Sequence, residues 1–124
     1  MADTPSHRNL GDRGEWHAAN YLSNLGFKVI ARNFHTRRGE VDLVVSRGGE
    51  LCFVEVKAWS STKMGPAMEG IPLRKRRRIG WAAQEWLCRF GGDYEQITLG
   101  VLILEWRGGQ AQIEFVQDAF ELPG

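Results

Sequence analysis

The stretch GEVDLVVSRGGELCFVEVKAW, residues 39 to 59, holds two apolar, β-branched runs separated by Gly48 and Gly49. A Gly-Gly pair between alternating runs predicts a β-hairpin, with strands over 40–46 and 50–58. Four charged side chains interrupt it: Glu40, Asp42, Glu55 and Lys57. A two-residue turn opposes Arg47 to Glu50, and counting outward opposes Asp42 to Glu55 and Glu40 to Lys57. Side chains two apart on a strand share a face, so all four charges project from one side. The other side then carries Val41, Leu43, Val45, Cys52, Val54 and Val56. A four-residue loop preserves this register, whereas a bulge would slip it by one.

Two carboxylates on Cβ atoms roughly 4.5 to 5.5 Å apart repel and destabilise a sheet. A divalent cation held by Asp42 and Glu55 would compensate, because oxygen ligands suit Mg²⁺ and Mn²⁺. Lys57 would then stand beside the metal, to orient or deprotonate a water or to stabilise a phosphorane-like transition state. The plainer alternative is an antiparallel sheet with one wet face, on which Glu40 and Lys57 form a cross-strand ion pair of little consequence.

Before the hairpin, residues 1–10 read as a loose terminus and 11–124 as a single domain. A helix is predicted from Asp12, with Glu15 three positions on as in a capping box and Ala18, Leu22 and Leu25 as its stripe. Glu15 has two readings: it caps this helix, or, lying on the stripe, it approaches the acid cluster as a direct or water-mediated metal ligand. Gly26 stops the helix, and FKVIARNF, residues 27–34, has the composition of a strand.

After the hairpin, Ile79, Ala82, Ala83, Trp86, Leu87 and Phe90 keep the spacing of a buried helix face. ITLGVLILEW, 97–106, reads as a buried strand and AQIEFV, 111–116, as an edge strand. The order αβββαββ predicts a mixed sheet flanked by helices.

The helix opens with RKRRR, residues 74–78, although the formal net charge is only +1. Carrying the buried stripe back from Ile79 turns Lys75 and Arg76 toward the sheet and leaves Arg74, Arg77, Arg78 and Trp81 outside. Such bases neutralise phosphates, and a Trp among arginines can stack on an unpaired base; the alternative is a solvated face with Trp81 covered. Arg37 and Arg38, just before the hairpin, are further phosphate candidates. His7, His17 and His35 show no ligand spacing, and His35 reads as a surface or phosphate contact.

With 43% hydrophobic and 25% charged residues in 124, the composition is that of a folded globular chain rather than a disordered or collagen-like one. There is no signal-like start and no run near the ~18 apolar residues of a membrane span, so a cytoplasmic protein without membrane partners is expected. Cys52 and Cys88 lack metal or redox spacing and read as reduced core residues.

GEVDLV followed by CFVEVK resembles the PD-(D/E)xK nuclease motif, in which an acid on one strand meets an acid-x-Lys on the next. RGEWHAANYLSNLGFKVIARNF, RRGEVDLVV, FVEVKAW and PLRKRRRI, in that order, are similar to the YraN family of small bacterial proteins, regarded as endonucleases related to archaeal Holliday junction resolvases. The resemblance covers the chain from about residue 8. It implies a restriction-endonuclease-like αβββαβ core, with Glu15, Asp42, Glu55 and Lys57 in the nuclease positions and Glu40 in the family's G-E-x-D segment. Where family members usually carry an Asp early in the strand after the basic helix, this chain has Gly100.

The expected function is Mg²⁺- or Mn²⁺-dependent hydrolysis of DNA phosphodiester bonds, with branched or single-stranded DNA among the candidate substrates. The alternative is a non-catalytic nucleic-acid-binding module of the same fold, with Gly100 in its favour. A third reading is a protein-interaction subunit anchored by Trp81. Cutting two strands symmetrically would need two sites related by a two-fold axis, which makes a homodimer attractive.

Overall fold

Gly48 takes a left-handed φ of 59°, a conformation open to glycine because it has no Cβ, and with Gly49 it turns the chain back on itself. In the computed structural model, which describes residues 6–59 and 71–121, this turn joins β2 (Glu40–Arg47) to β3 (Glu50–Trp59). Ahead of them lie α1 (Ser6–Asn24) and β1 (Lys28–His35). After them come α2 (Leu73–Phe90), β4 (Gln96–Arg107) and β5 (Gln110–Phe120). The sheet order is β1-β2-β3-β4-β5, antiparallel except for the parallel pair β3–β4. α2 makes the crossover that a parallel pair requires. The αβββαβ order implied by the resemblance is therefore the order observed, with β5 added at the edge.

Arg47 pairs with Glu50, and the register runs without slip to Leu43↔Val54. Leu43, Val45, Cys52 and Val54 pack with Ala18 and Leu22 of α1 and with Leu102 and Leu104 of β4. On the opposite face Val44, Leu51, Phe53 and Leu99 pack against Ile79, Ala82, Ala83 and Trp86 of α2. The two helices thus cover opposite faces of one sheet. Val41, expected among the α1-side residues, packs on the α2 side instead. The ladder with β3 has ended by then, and the strict alternation of faces lapses with it.

Several boundaries differ from expectation. α1 begins at Ser6, so residues 6–10, read as a loose terminus, are helical and Asp12 lies inside the helix; residues 1–5 fall outside the described ones. With the helix start six residues earlier, the capping-box reading of Glu15 is gone. Leu25 lies beyond the helix end and is exposed. Cys52 is buried, but Cys88 is exposed, because position 88 falls on the outer side of α2 from the stripe that holds Ile79, Ala82, Ala83 and Trp86. Phe90 is exposed too, resting on Trp86 with ring centroids 4.3 Å apart. Among the described residues no helix is long and apolar enough to cross a membrane.

Candidate functional site

The hairpin ladder stops one residue short of the acids. Beyond Leu43↔Val54 it is the Asp42 carboxylate that accepts the Val56 N–H, at 2.8 Å. This substitution of a side chain for a ladder carbonyl keeps a buried backbone donor satisfied and fixes the Asp42 side chain against β3. Glu55 is only 4% exposed and its neighbour on β4 is the buried Val101. Its carboxyl group and that of Asp42 share a hydrogen bond. Beyond the end of the ladder the two acids meet on the α2 side of the sheet.

Lys75, in the first turn of α2, places its Nζ 2.9 Å from Glu55 Oε2. Burial dominates the electrostatics nonetheless. It raises both carboxyls, and for Glu55 the Asp42 charge adds to it; Lys75 offsets only part, leaving Glu55 pushed up to about 7. Asp42 is raised less simply, since the Val56 N–H, Glu55 and Lys75 all pull against its burial. Lys75 is pushed down by its own burial, but its hydrogen bond and charge interaction with Glu55, with Asp42 and Glu40 behind them, carry it above the ordinary lysine value. Near pH 7 Glu55 is thus about half protonated, and its neutral form can donate to the Asp42 carboxylate. The repulsion that called for compensation is relieved here by a lysine, a backbone N–H and a shared proton.

A divalent ion fits this donor set. Mg²⁺ takes one or two protein carboxylates and completes its shell with water and substrate phosphate, and two convergent carboxylates are what Asp42 and Glu55 present. Among the described residues no group of three or more His, Cys, Asp or Glu side chains converges to hold a metal. Glu15 Oε1 accepts from Asn33 Nδ2 at 3.0 Å. Asn33, at a left-handed φ of 51°, lies between the pairs Arg32↔Leu43 and Phe34↔Val41 and so stands across from Asp42.

The remaining sequence candidates divide by what they touch. Lys57 is partly buried, two positions beyond Glu55 on the same face. Glu40, expected opposite Lys57, has His35 Nδ1 at 3.1 Å and Arg78 Nη2 at 3.8 Å. Lys75 and Arg76 turn inward as the helical stripe predicted, and Arg76 Nε donates to the Ile71 carbonyl at 3.0 Å. Arg74, Arg77 and Arg78 are exposed. The β1–β2 turn is held by Thr36, whose Oγ1 accepts from the N–H groups of Arg38 and Gly39. It leaves Arg37 and Arg38 exposed, with the Arg38 guanidinium 4.7 Å above the Trp81 ring. A groove there is lined by Thr36, Arg37, Arg38, Trp81, Cys88 and Arg89.

α2 carries no acid in its first turn and begins at Pro72 without a side-chain cap. Cations at the positive end of a helix are unfavourable, by about 0.3–1 kcal/mol each, so RKRRR there concentrates positive potential at the mouth of the acid pair. Gly39 makes the approach possible: a Cβ on it would run into the Arg78 carbonyl of α2. Sequence reasoning had not singled out Gly39, Asn33 or the Val56 N–H, none of which bears a charge. Gly100 lies on the α1 side, where a Cβ would meet Cys52 Sγ at 3.0 Å and Phe115 Cε1 at 3.1 Å. An acid at that position would not join Asp42 and Glu55.

Residues 14–100 match the model of the family described as "Uncharacterised protein family UPF0102". A UPF0102 protein of Rhodococcus jostii (strain RHA1) is 41% identical over 112 residues, covering 90% of this chain and 95% of that one. One from Anaeromyxobacter sp. (strain Fw109-5) is 36% identical over 117 residues, covering 94% and 88%. Among solved structures, Pyrococcus furiosus SfsA in complex with Ca²⁺ aligns over 88% of this chain and 62% of that one at 16% identity, with a TM-score of 0.41, a likeness too loose to carry an argument. With the family match spanning the acid pair, the basic helix start and Gly100 alike, the chain belongs to UPF0102.

Proposed function

We propose that this chain is a Mg²⁺- or Mn²⁺-dependent nuclease of the PD-(D/E)xK type that hydrolyses DNA phosphodiester bonds. The observation that carries the reading is the meeting of half-buried Asp42 with buried Glu55, with Lys57 two residues on and a cationic helix terminus in front. Asp42 and Glu55 would hold the ion, which would supply Lewis acidity to the phosphoryl group. Lys57 orients the attacking water, takes up its proton or stabilises developing negative charge. Arg74, Arg77, Arg78, Arg37 and Arg38 bind phosphates, and Trp81 offers a face to an unpaired base. Glu15, which holds Asn33 on β1, would support the metal as a direct or water-mediated ligand.

Purified protein supplied with Mn²⁺ is expected to nick at least one member of a panel of duplex, flap, junction and single-stranded DNA. Lys57→Ala should abolish nicking while the circular dichroism spectrum stays that of the parent. Absence of cleavage across the whole panel would count against the enzyme.

A second reading, a non-catalytic nucleic-acid-binding module, is favoured by one observation: Lys75 already supplies positive charge to Glu55 at 2.9 Å. Calorimetric titration with Mn²⁺ separates the two. Binding that is lost in Asp42→Asn supports the enzyme, and no binding supports the module.

A further inference from the structure

We propose that Lys75 is a tethered counter-ion of the acid pair, exchanged for the metal ion and handed on to the DNA backbone, so that metal and DNA binding reinforce each other through one side chain. The inference rests on reading Asp42 and Glu55 as the metal site. Its geometric basis is a single long side chain that spans two environments. The Glu55 side chain is 5% exposed and that of Lys75 is 42% exposed, yet their charged ends are 2.9 Å apart. The lysine stem therefore runs from the open first turn of α2 down to a buried carboxylate.

The base of that stem is fixed. The N–H groups of Lys75 and Arg76 both donate to the Pro72 carbonyl at 3.0 Å, so a change of partner by Lys75 needs only its own rotamers and no movement of the helix. Its neighbours have other positions: Arg76 is bonded to Ile71 O, Arg78 lies 3.8 Å from Glu40, and Arg74 and Arg77 face outward. Lys75 is the cation of this turn whose head rests on Glu55.

Charge balance then dictates the exchange. At pH 8 the acid pair is largely ionised, and Lys75 is the counter-ion whose ammonium lies on the Glu55 carboxylate. A divalent ion on the same two carboxylates neutralises both, and an ammonium still on Glu55 Oε2 would share that oxygen with a doubly positive ion. Like charges that close repel. A flexible four-carbon stem lets the ammonium withdraw toward the mouth of the site, where the exposed arginines of α2 would hold a phosphate. A phosphate waiting there gives the released lysine a partner, so DNA lowers the free energy of displacing it and thereby favours the metal. Linkage makes the effect reciprocal.

The test is Mn²⁺ calorimetry at pH 8 on the full chain, with and without a short duplex carrying a single-stranded arm, the DNA verified intact on a gel afterwards. In the parent protein the DNA should tighten Mn²⁺ binding by roughly fivefold or more. In Lys75→Gln, Mn²⁺ should bind the DNA-free protein several-fold more tightly than in the parent, with the DNA-induced gain falling below about twofold; Lys75→Arg should keep the parental pattern. A Lys75→Gln protein that is folded by circular dichroism and binds Mn²⁺ no more tightly than the parent overturns the exchange, as does a DNA-induced gain that survives the substitution. If the parent binds no Mn²⁺ at all, the metal site itself is wrong and the exchange falls with it. If the parent binds Mn²⁺ and the variants do not differ from it, only the exchange is lost.

Discussion

Glu55 shows how burial can outweigh a salt bridge. Its carboxyl is pushed up to about 7 although a lysine touches it, because desolvation and the Asp42 charge penalise the ionised form more than Lys75 rewards it. A raised folded-state value means that the folded protein holds a proton which the unfolded chain has lost. The associated stability is therefore complete below about pH 4.5 and lost as pH rises toward 7. That is worth at most about 3 kcal/mol. Glu55→Gln, which keeps the neutral form at every pH, should match the parent near pH 4.5 and exceed it in urea midpoint at pH 8 without added metal. A variant less stable than the parent at pH 8 would show that Lys75 outweighs burial. Gly100 makes a second residue-scale prediction. Gly100→Asp puts a charge against Cys52 and Phe115, and should cost roughly 2–4 kcal/mol of stability. It should leave Mn²⁺ affinity unchanged, because it sits on the face of the sheet away from Glu55; a gain in affinity would place it in the site after all.

At the scale of elements, α2 is the part that joins fold to site. One side of it closes the core through Ile79, Ala82, Ala83 and Trp86, and its first turn delivers Lys75 to Glu55. Gly39 sets how near it lies to the β1–β2 turn. Gly39→Ala has to push the Arg78 carbonyl away, so a loss of roughly 1–3 kcal/mol in urea unfolding is expected. Gly39→Ala should also weaken Lys75's hold on Glu55. The exposed arginines carry a different expectation. Replacing Arg74 and Arg77 with Ala should leave stability within about 0.5 kcal/mol of the parent. If both contact duplex phosphates, the slope of log affinity against log salt should shrink by about 0.9 for each. Unchanged slopes would assign these side chains to a solvated face, the plainer of the two readings of RKRRR.

At the scale of the molecule, β3 is the central strand, paired on both sides and covered on both faces. Phe53 on β3 is fully buried under α2. Phe53→Ala should cost about 3–5 kcal/mol, a large share of the stability of a domain this size. A loss under about 1 kcal/mol would mean that the α2 side of the core is loosely packed. The same central position explains why the acids matter: they lie midway along β3 and near the start of β2, just past the point where the antiparallel ladder stops while the parallel one with β4 continues from Val54↔Gly100 to Trp59↔Glu105. The β2–β3 ladder ends there, and the Asp42 carboxylate takes the place of a ladder acceptor for the Val56 N–H.

The element order, the hairpin register from Arg47↔Glu50 to Leu43↔Val54 and the inward turn of Lys75 and Arg76 were legible in the sequence, whereas the pairing of Glu40 with Lys57 was not realised, Glu40 lying against His35 and Arg78 instead. Each of the legible features follows from periodicity or from a glycine turn, which are properties of neighbouring residues. The partners of those charges were not. Lys75 on Glu55, Val56 N–H on Asp42, Asn33 on Glu15 and the Arg78 carbonyl against Gly39 each join segments that only packing brings together, and hydrogen bonding and desolvation act through space rather than along the chain. The same limit explains Gly100: its place in the order of residues suggested a missing acid, and only the alternation of faces in the assembled sheet decided that it points away from the site.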